Sequence, residues 1–223
     1  AFPSYKEPVE RDKAVLYFVD IPDAKQSVIT IGYTSLKRGH EDFYPVEVMN
    51  YKLGGSFSGN VNLILREEKG YTYGARTGFI GGKNFGRFSA SSSVRTNTTG
   101  ESVQIFRDEM TKYKNGISED DLTFTKNALI KSNARRFETQ QSLLAMLQEI
   151  NIHNLPHNYI ELEEKVVEEM TLERHKSIAN QYLFPEKMAY LVVGDAKTQF
   201  EQFKDMGFDE VILLDKEGNE VKQ

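Results

Sequence analysis

Apolar residues in parts of the chain form short runs with the length and alternation of β-strands. Residues 14–20 are a compact apolar run, and residues 26–35 alternate and are rich in β-branched side chains. Residues 71–80 and 85–95 are rich in aromatic, Thr, Ser and Val residues, and a Gly-Gly-Lys-Asn turn lies between them. The pattern therefore predicts four strands, the last two of which pair as a hairpin.

Elsewhere the apolar positions recur mostly at helical spacing, and glycines or capping residues follow or precede them. The predicted helices span residues 41–53, 61–69, 99–113, one long segment from Ser118 to His153, 161–169, 172–183 and 199–206. Two further strands are predicted at residues 188–194 and 210–214. Strand pairs interrupted by helices predict an α+β fold, in which helices cover one face of a mainly antiparallel sheet.

Length and composition favour a single globular domain. The chain has 223 residues, of which 39% are hydrophobic and 27% charged. Residues 1–13 are polar and aperiodic, so they are expected to form a linker or a lead-in strand, with residues 14–223 as one domain. The chain begins at Ala1 and not at Met, and we expect a mature product or a piece of a longer chain. No run of 18 apolar residues is present, so no membrane span is expected.

Charge and cysteine content exclude several classes of function. The formal net charge is −5, which argues against a nucleic-acid-binding protein because such domains usually carry a basic excess. The chain has no cysteine, which excludes disulfide scaffolds, thiolate zinc sites, iron–sulfur clusters and cysteine nucleophiles.

Local motifs for metal or nucleophilic catalysis are weak. His153 and His157 have i, i+4 spacing, but Pro156 lies between them and should break the helix that would align them. Neither H-E-x-x-H nor its inverse H-x-x-E-H occurs, and no G-x-S-x-G or P-loop motif is present. A metal-binding protein that uses His153 and His157 remains one hypothesis.

The segment at residues 53–75 combines a glycine turn, a short helix, a glycine stop and the start of a strand. Arg66 falls near the end of the helix, and Tyr73 falls on the strand after Gly70. A turn at Gly70 could bring the guanidinium and the phenol together, and this pair of donors can hold a carbonyl or an oxyanion. The alternative is that Arg66 interacts with the helix dipole and Tyr73 is a core aromatic.

Residues 53–75 resemble the most recognisable stretch in the second half of pitrilysin/insulinase-type zinc metallopeptidases, a family that includes the mitochondrial processing peptidases. The segment is L-G-G-S-F-S-G-N-V-N-L-I-L-R-E-E-K-G-Y-T-Y-G-A. The flanking segments are also similar, and the resemblance covers nearly the whole chain after residue 13.

The resemblance implies a two-part enzyme. Members of the family consist of homologous α+β halves that face each other around a closed chamber. One half carries the H-x-x-E-H zinc motif, and the facing half supplies an Arg and a Tyr seven residues apart that bind and polarise the substrate carbonyl. Arg66 and Tyr73 have this spacing, and Tyr71 is the alternative tyrosine. Because the zinc motif is absent here, the resemblance implies no zinc in this chain and zinc in a partner half.

The leading hypothesis is therefore the non-zinc-binding half of a pitrilysin-like peptidase, inactive alone. Its expected partners are a zinc-bearing homologous half and an unstructured peptide, which strand addition to a sheet edge could hold. The alternative is a structural or peptide-binding subunit of the same family without a catalytic role. The resemblance also favours a bacterial protein with a periplasmic over a cytoplasmic location.

Overall fold

The computed structural model describes residue 8 and residues 10–221, except for the side chains of Ala134 and Arg135. Six strands form a single mixed sheet. The strands are β1 (Val15–Asp20), β2 (Gln26–Ser35), β3 (Thr72–Gly81), β4 (Gly86–Arg95), β5 (Ala189–Gly194) and β6 (Glu210–Leu214). Their order in the sheet is β3-β4-β2-β5-β1-β6. The pairs β3–β4, β4–β2 and β2–β5 are antiparallel, whereas β1 pairs in parallel with β5 and β6. The sheet is thus mainly antiparallel, as predicted.

Helices cover one face of this sheet. The α-helices are α1 (Phe43–Asn50), α2 (Asn60–Asn62), α3 (Thr99–Tyr113), α4 (Glu119–Ala134), α5 (Gln140–His153), α6 (Tyr159–Glu169), α7 (Leu172–Tyr182) and α8 (Ala196–Gln199). The central strand β2 buries Ile29 and Ile31 on the helical side and exposes Val28 and Thr30 on the other. We call the exposed side the outer face. Within the described residues, no helix is long and apolar enough to cross a membrane.

The predicted linker or lead-in strand at residues 1–13 lies largely outside the described residues. Residues 8 and 10–14 belong to no strand. The domain interpretation for this segment stays a prediction.

The single long helix predicted from Ser118 to His153 is wrong. A 3₁₀ turn, Arg135–Phe137, separates α4 from α5, and the Thr139 hydroxyl accepts a hydrogen bond from the Ser142 N–H at 3.0 Å. Thr139 therefore caps the start of a new helix. Leu144 and Leu147, which continued the apolar pattern in the sequence, are exposed on α5, so the periodicity there does not mark a buried face.

Other helix predictions had wrong boundaries: the one at residues 61–69 is the three-residue α2 followed by a π-helical turn, Leu63–Glu68, and the one at residues 161–169 begins at Tyr159. The helix predicted at residues 41–53 begins at Phe43 and ends as a wider π-helical turn, Tyr51–Gly55. The helix predicted at residues 199–206 is instead the short α8 followed by a 3₁₀ turn, Glu201–Asp205. Its start is shifted because the Asp20 carboxylate accepts a hydrogen bond from the Ala196 N–H at 3.0 Å, which satisfies a free donor of the first turn.

A buried histidine links α7 to the end of α1. His175 is 1% exposed, and its Nε2 lies 3.2 Å from the Met49 carbonyl oxygen and 3.3 Å from the Tyr113 hydroxyl. Burial lowers the pKa of His175 to about 4, because the charged imidazolium would lose its hydration.

A partly buried carboxylate on α1 has the opposite shift. Burial raises the pKa of Glu47 to about 7, against the opposing attraction of Arg38 and Arg136 and with added repulsion from Glu163 and Glu149. Both arginines are already engaged, since Arg38 binds Glu163 at 2.6 Å and Glu149 at 3.1 Å, and Arg136 binds Glu163 at 2.7 Å. Glu47 therefore lies beside an ion-pair cluster without an ion pair of its own among the described residues.

These two groups should have opposite effects on stability between pH 7 and pH 5. The pKa of His175 is lower in the folded protein than the unfolded-state value of 6.5, so His175 lowers the free energy of unfolding as the pH falls below 6.5. The pKa of Glu47 is higher in the folded protein, so Glu47 raises the free energy of unfolding as the pH falls through 7. Each contribution amounts to about 2 kcal/mol by pH 5. We expect Glu47→Gln to lose, and His175→Gln to gain, about 2 kcal/mol of unfolding free energy on acidification relative to the wild type. Urea titrations at both pH values measure this, and parallel pH profiles of all three proteins would contradict it.

Candidate functional site

The glycine turn after α1 packs directly against β3. A Cβ on Gly54 would lie 2.7 Å from the Thr77 backbone nitrogen and 2.7 Å from a Val61 methyl group, so only glycine allows this approach. After the following helical segment Gly70 has φ of +63°, as predicted for a helix stop. The two glycine positions hold the helical segment between them close to the start of β3.

Two buried asparagines connect the helices to β3, and sequence reasoning missed both. The side-chain NH₂ of Asn50 donates to the Thr77 backbone carbonyl at 2.9 Å, and the side-chain oxygen of Asn50 accepts from the Thr77 hydroxyl at 2.6 Å. The side-chain oxygen of Asn62 accepts a hydrogen bond from the Ala75 N–H at 3.0 Å, and the side-chain NH₂ of Asn62 donates to the Phe57 backbone carbonyl at 2.7 Å. Asparagine is unfavourable inside helices, and this local cost was the available signal in the sequence.

These contacts bear on the predicted strand addition. β3 is an edge strand of the sheet. The Ala75 N–H and the Thr77 carbonyl are already paired with Asn62 and Asn50, so a peptide strand could not use these groups of β3. The middle of this edge is closed to strand addition.

A β-bulge displays Tyr73. Thr72 pairs with Val94 and Ala75 with Ser92, so Tyr73 and Gly74 together lie opposite Ser93. The Thr72 hydroxyl stabilises the bulge because it donates to the Ser93 carbonyl at 2.7 Å and accepts from the Gly74 N–H at 3.0 Å. The Tyr73 side chain is 94% exposed and forms no hydrogen bond with the described residues. Its assignment as a core aromatic is therefore wrong.

Arg66 lies on the π-helical turn Leu63–Glu68, and its side chain is 34% exposed. The guanidinium carbon is 4.5 Å from the centre of the Phe57 ring, and Nε is 3.4 Å from a Glu67 carboxylate oxygen. Arg66 thus keeps part of its donor fork open to solvent while Phe57 restricts its position.

Tyr71, the alternative tyrosine, is already engaged. Its hydroxyl donates to the Glu101 carboxylate at 2.6 Å, and Lys69 binds the same carboxylate at 2.7 Å. The hydrogen bond to Glu101 raises the pKa of Tyr71. The geometry leaves Tyr73 available for a ligand and commits the Tyr71 phenol to the protein.

A cavity of about 440 Å³ lies between the glycine turn and the start of β3. Its lining includes Gly54, Ser56, Phe57, Tyr73 and Arg76. Arg66 is not part of this lining, but its guanidinium packs on the ring of Phe57, which is. The site therefore offers hydrogen-bond donors and an aromatic surface, a composition suited to holding an oxygen that gains negative charge.

No metal site accompanies these groups. In the described part of the chain, no cluster of three or more His, Asp or Glu side chains could hold a metal ion. His153 Nε2 lies 3.7 Å from a Glu149 carboxylate oxygen, and His157 lies exposed before α6. The hypothesis of a metal site at His153 and His157 finds no support in this geometry.

Removing the Asn62 side chain should loosen the site. We expect Asn62→Ala to lower the free energy of unfolding by about 2 kcal/mol, because the Ala75 N–H and the Phe57 carbonyl lose their partner. Asn60→Ala is the matched control, since Asn60 is on the same short helix and forms no side-chain hydrogen bond with the described residues. Chemical denaturation of both variants measures the difference, and equal stabilities would show that these two bonds contribute nothing.

A family profile decides the classification. The profile described as the peptidase M16 inactive domain matches residues 2–129. The chain belongs to the peptidase M16 family. Within that family it is an inactive-type domain, and its lack of the H-x-x-E-H motif agrees with this assignment.

Solved structures have the same fold. A peptidase M16 inactive domain from Pseudomonas fluorescens has a TM-score of 0.80 and 25% identity, over 89% of this chain and 48% of that chain. A Helicobacter pylori protease has a TM-score of 0.77 and 15% identity, over 86% and 47%. The periplasmic protease PqqL from Escherichia coli has a TM-score of 0.65 and 16% identity, over 80% and 20%.

This M16 inactive domain spans about half the length, or less, of these structures. No curated protein matches it.

Proposed function

We propose that this M16 inactive domain forms the non-zinc-binding half of a metallopeptidase and that Arg66 and Tyr73 help to hold the substrate carbonyl. The observation that carries the proposal is the Tyr73 phenol, which the β-bulge places in solvent beside the cavity that Phe57 lines, and Phe57 in turn contacts Arg66. Residues that serve only packing are rarely displayed in this way, and bulges often re-aim a side chain next to an active site.

The chemistry of the two side chains fits a carbonyl that becomes an oxyanion. A guanidinium and a phenol both donate hydrogen bonds, and these bonds strengthen as negative charge develops on the carbonyl oxygen. The described residues of this site contain no histidine or unpaired carboxylate to activate a water molecule. When bound in the partner half, zinc would supply that activation.

The substrate in this proposal is an unstructured peptide, and the partner is a zinc-bearing half in the same or a separate chain. The lengths of the similar structures support a second half, because this chain accounts for only part of each. A periplasmic location remains part of the proposal.

Reconstitution tests this function. The chain alone should not hydrolyse an internally quenched peptide, whereas the chain combined with a zinc-bearing half from the same or a neighbouring reading frame should do so, and a chelator should abolish the activity. Hydrolysis by the zinc-bearing half at the same rate without this chain would contradict the proposal. Peptide binding without hydrolysis by the pair would favour the alternative, a peptide-binding subunit.

A further inference from the structure

The outer face of the sheet is open above the strands that carry the site. α1 and α2 contact β3, and α3 contacts β4 and β2. These contacts occur on the side where Phe88 and Ala90 of β4 are buried, and Arg87 and Ser93, at alternate positions of the same strand, are exposed on the outer face. A ligand can therefore approach this face of the strands.

Two adjoining cavities of about 700 and 790 Å³ lie at the end of the sheet near the hairpin turn, and the first of them is lined partly by outer-face residues such as Thr30. They share walls formed by Glu10, Tyr33, Thr34, Phe85 and Phe184. Phe85 is 47% exposed, and the Tyr33 ring lies 5.7 Å from the Phe184 ring. The shared wall is thus largely aromatic and reaches solvent.

The charged side chains around these cavities are mostly of one sign. The cations are Arg11, Arg87 and Lys187 in the first cavity and Lys37 and Lys83 in the second. We call the two cavities with these five side chains the basic groove. None of the five forms an ion pair with another described residue, and Glu10 is the single acid among the described lining residues. This excess of positive charge contrasts with the net charge of −5 on the whole chain.

Five cations that form no ion pair with the described residues repel one another, so the groove should gain stability from an anionic ligand. A cleft lined by charges of one sign also concentrates its field and attracts oppositely charged ligands. The aromatic wall adds a surface for apolar side chains, and it excludes water from one side of the ion pairs that would form. Carboxylates on a chain that also carries apolar side chains match both features, which favours an acidic peptide over a phosphate backbone.

The groove and the Tyr73 site lie along the same pair of strands. The bulge at Tyr73 is opposite Ser93, and Arg87 is six residues away on β4. At a strand rise of about 3.4 Å per residue this separation is about 20 Å, which an extended peptide spans with about six residues.

We propose that the basic groove is a substrate subsite that binds an acidic stretch of an extended peptide, about six residues from the bond that the Tyr73 site holds. The inference rests on the proposed function for the position of that bond, but the affinity for acidic peptide is a property of this chain alone. The inferred class of substrate is peptides with Asp or Glu about six residues from the bond that the Tyr73 site holds.

Fluorescence anisotropy with the 223-residue chain tests the subsite. The probes are a labelled peptide of about ten residues that contains a run of glutamates and a counterpart with glutamine at the same positions. We expect the acidic peptide to bind at least about tenfold more tightly, and we expect salt to weaken this preference. The double variant Arg87→Ala, Lys187→Ala should lose the preference for the acidic peptide. If that variant folds poorly, the double variant Lys37→Ala, Lys83→Ala replaces it and should lose the same preference.

The matched control is Lys131→Ala, Lys176→Ala, which removes two exposed cations that lie outside the groove and form no ion pair with the described residues. It should bind like the wild type. Equal binding of the two peptides, or equal effects of the groove and control variants, would overturn the proposal. So would an oligothymidylate that binds the groove when the acidic peptide does not.

These results separate the subsite from the proposed function. Arg66→Ala should leave the preference for the acidic peptide unchanged, since Arg66 does not line either cavity of the basic groove. If the preference for the acidic peptide persists while the reconstituted pair does not hydrolyse peptides, the proposed function fails and the groove remains.

Discussion

Arg66→Ala is expected to lower the turnover of the reconstituted pair at least about tenfold while its zinc content stays unchanged. The removal of one donor to a developing oxyanion typically lowers kcat by about 10²- to 10³-fold. Because the Arg66 side chain is partly exposed, water weakens its hydrogen bond, and we expect a loss near or below the smaller of these values. Zinc content should not change because a guanidinium is not a zinc ligand and the zinc is expected in the partner half. Steady-state kinetics with an internally quenched peptide, together with metal analysis, measure both quantities.

The tyrosines provide the control for this prediction. Tyr73→Phe removes a hydroxyl that has no partner among the described residues, so any loss of turnover reflects contact with substrate. Tyr71→Phe removes a hydroxyl that is bonded to Glu101, and it should leave turnover unchanged if Tyr73 is the active tyrosine. Unchanged turnover in both Arg66→Ala and Tyr73→Phe would refute the assigned roles. A loss in Tyr71→Phe alone would move the role to the alternative tyrosine.

Local signals in the sequence were sufficient for most elements. The predicted bounds of β2, α3 and β6 agree with the structure, because alternation and helical periodicity depend on nearby residues. The glycine stop at Gly70 was also predictable, since a positive φ is a local requirement that glycine satisfies.

Features that depend on distant residues could not be predicted. The position of β1 between β5 and β6 requires parallel pairing with strands more than 170 residues away along the chain. The bulge at Tyr73 depends on a hydrogen bond from the Thr72 hydroxyl to the Ser93 carbonyl across the hairpin, and Asn62 reaches Ala75 from another element. The sequence placed Arg66 and Tyr73 on a helix and a strand, but their surroundings follow from these long-range contacts.

The basic groove was hidden for the same reason. Arg11, Arg87 and Lys187 are far apart in the sequence, and only the strand order brings them to one cavity. The net charge of −5 gave no indication of a local positive surface, because net charge does not describe how the charges are distributed.

Gly54→Ala should destabilise the domain by about 3 kcal/mol, because the new methyl group would lie 2.7 Å from the Thr77 backbone nitrogen. The same methyl group would lie 2.7 Å from the Thr77 hydroxyl and from Val61, so a shift away from one contact worsens another. Thr77 is held by Asn50 through two hydrogen bonds and cannot move without breaking them. Thermal or urea unfolding measures the effect.

Gly78→Ala is the control for the glycine turn, since it lies on β3 and a Cβ there would meet nothing within 4 Å. It should leave stability unchanged or raise it by less than about 1 kcal/mol, because alanine has less freedom to lose in a strand. Equal stabilities of the two variants would show that the turn can move away from β3. If Gly54→Ala folds but also impairs the reconstituted pair, the close approach of the turn to β3 is required for the Tyr73 site as well as for the fold.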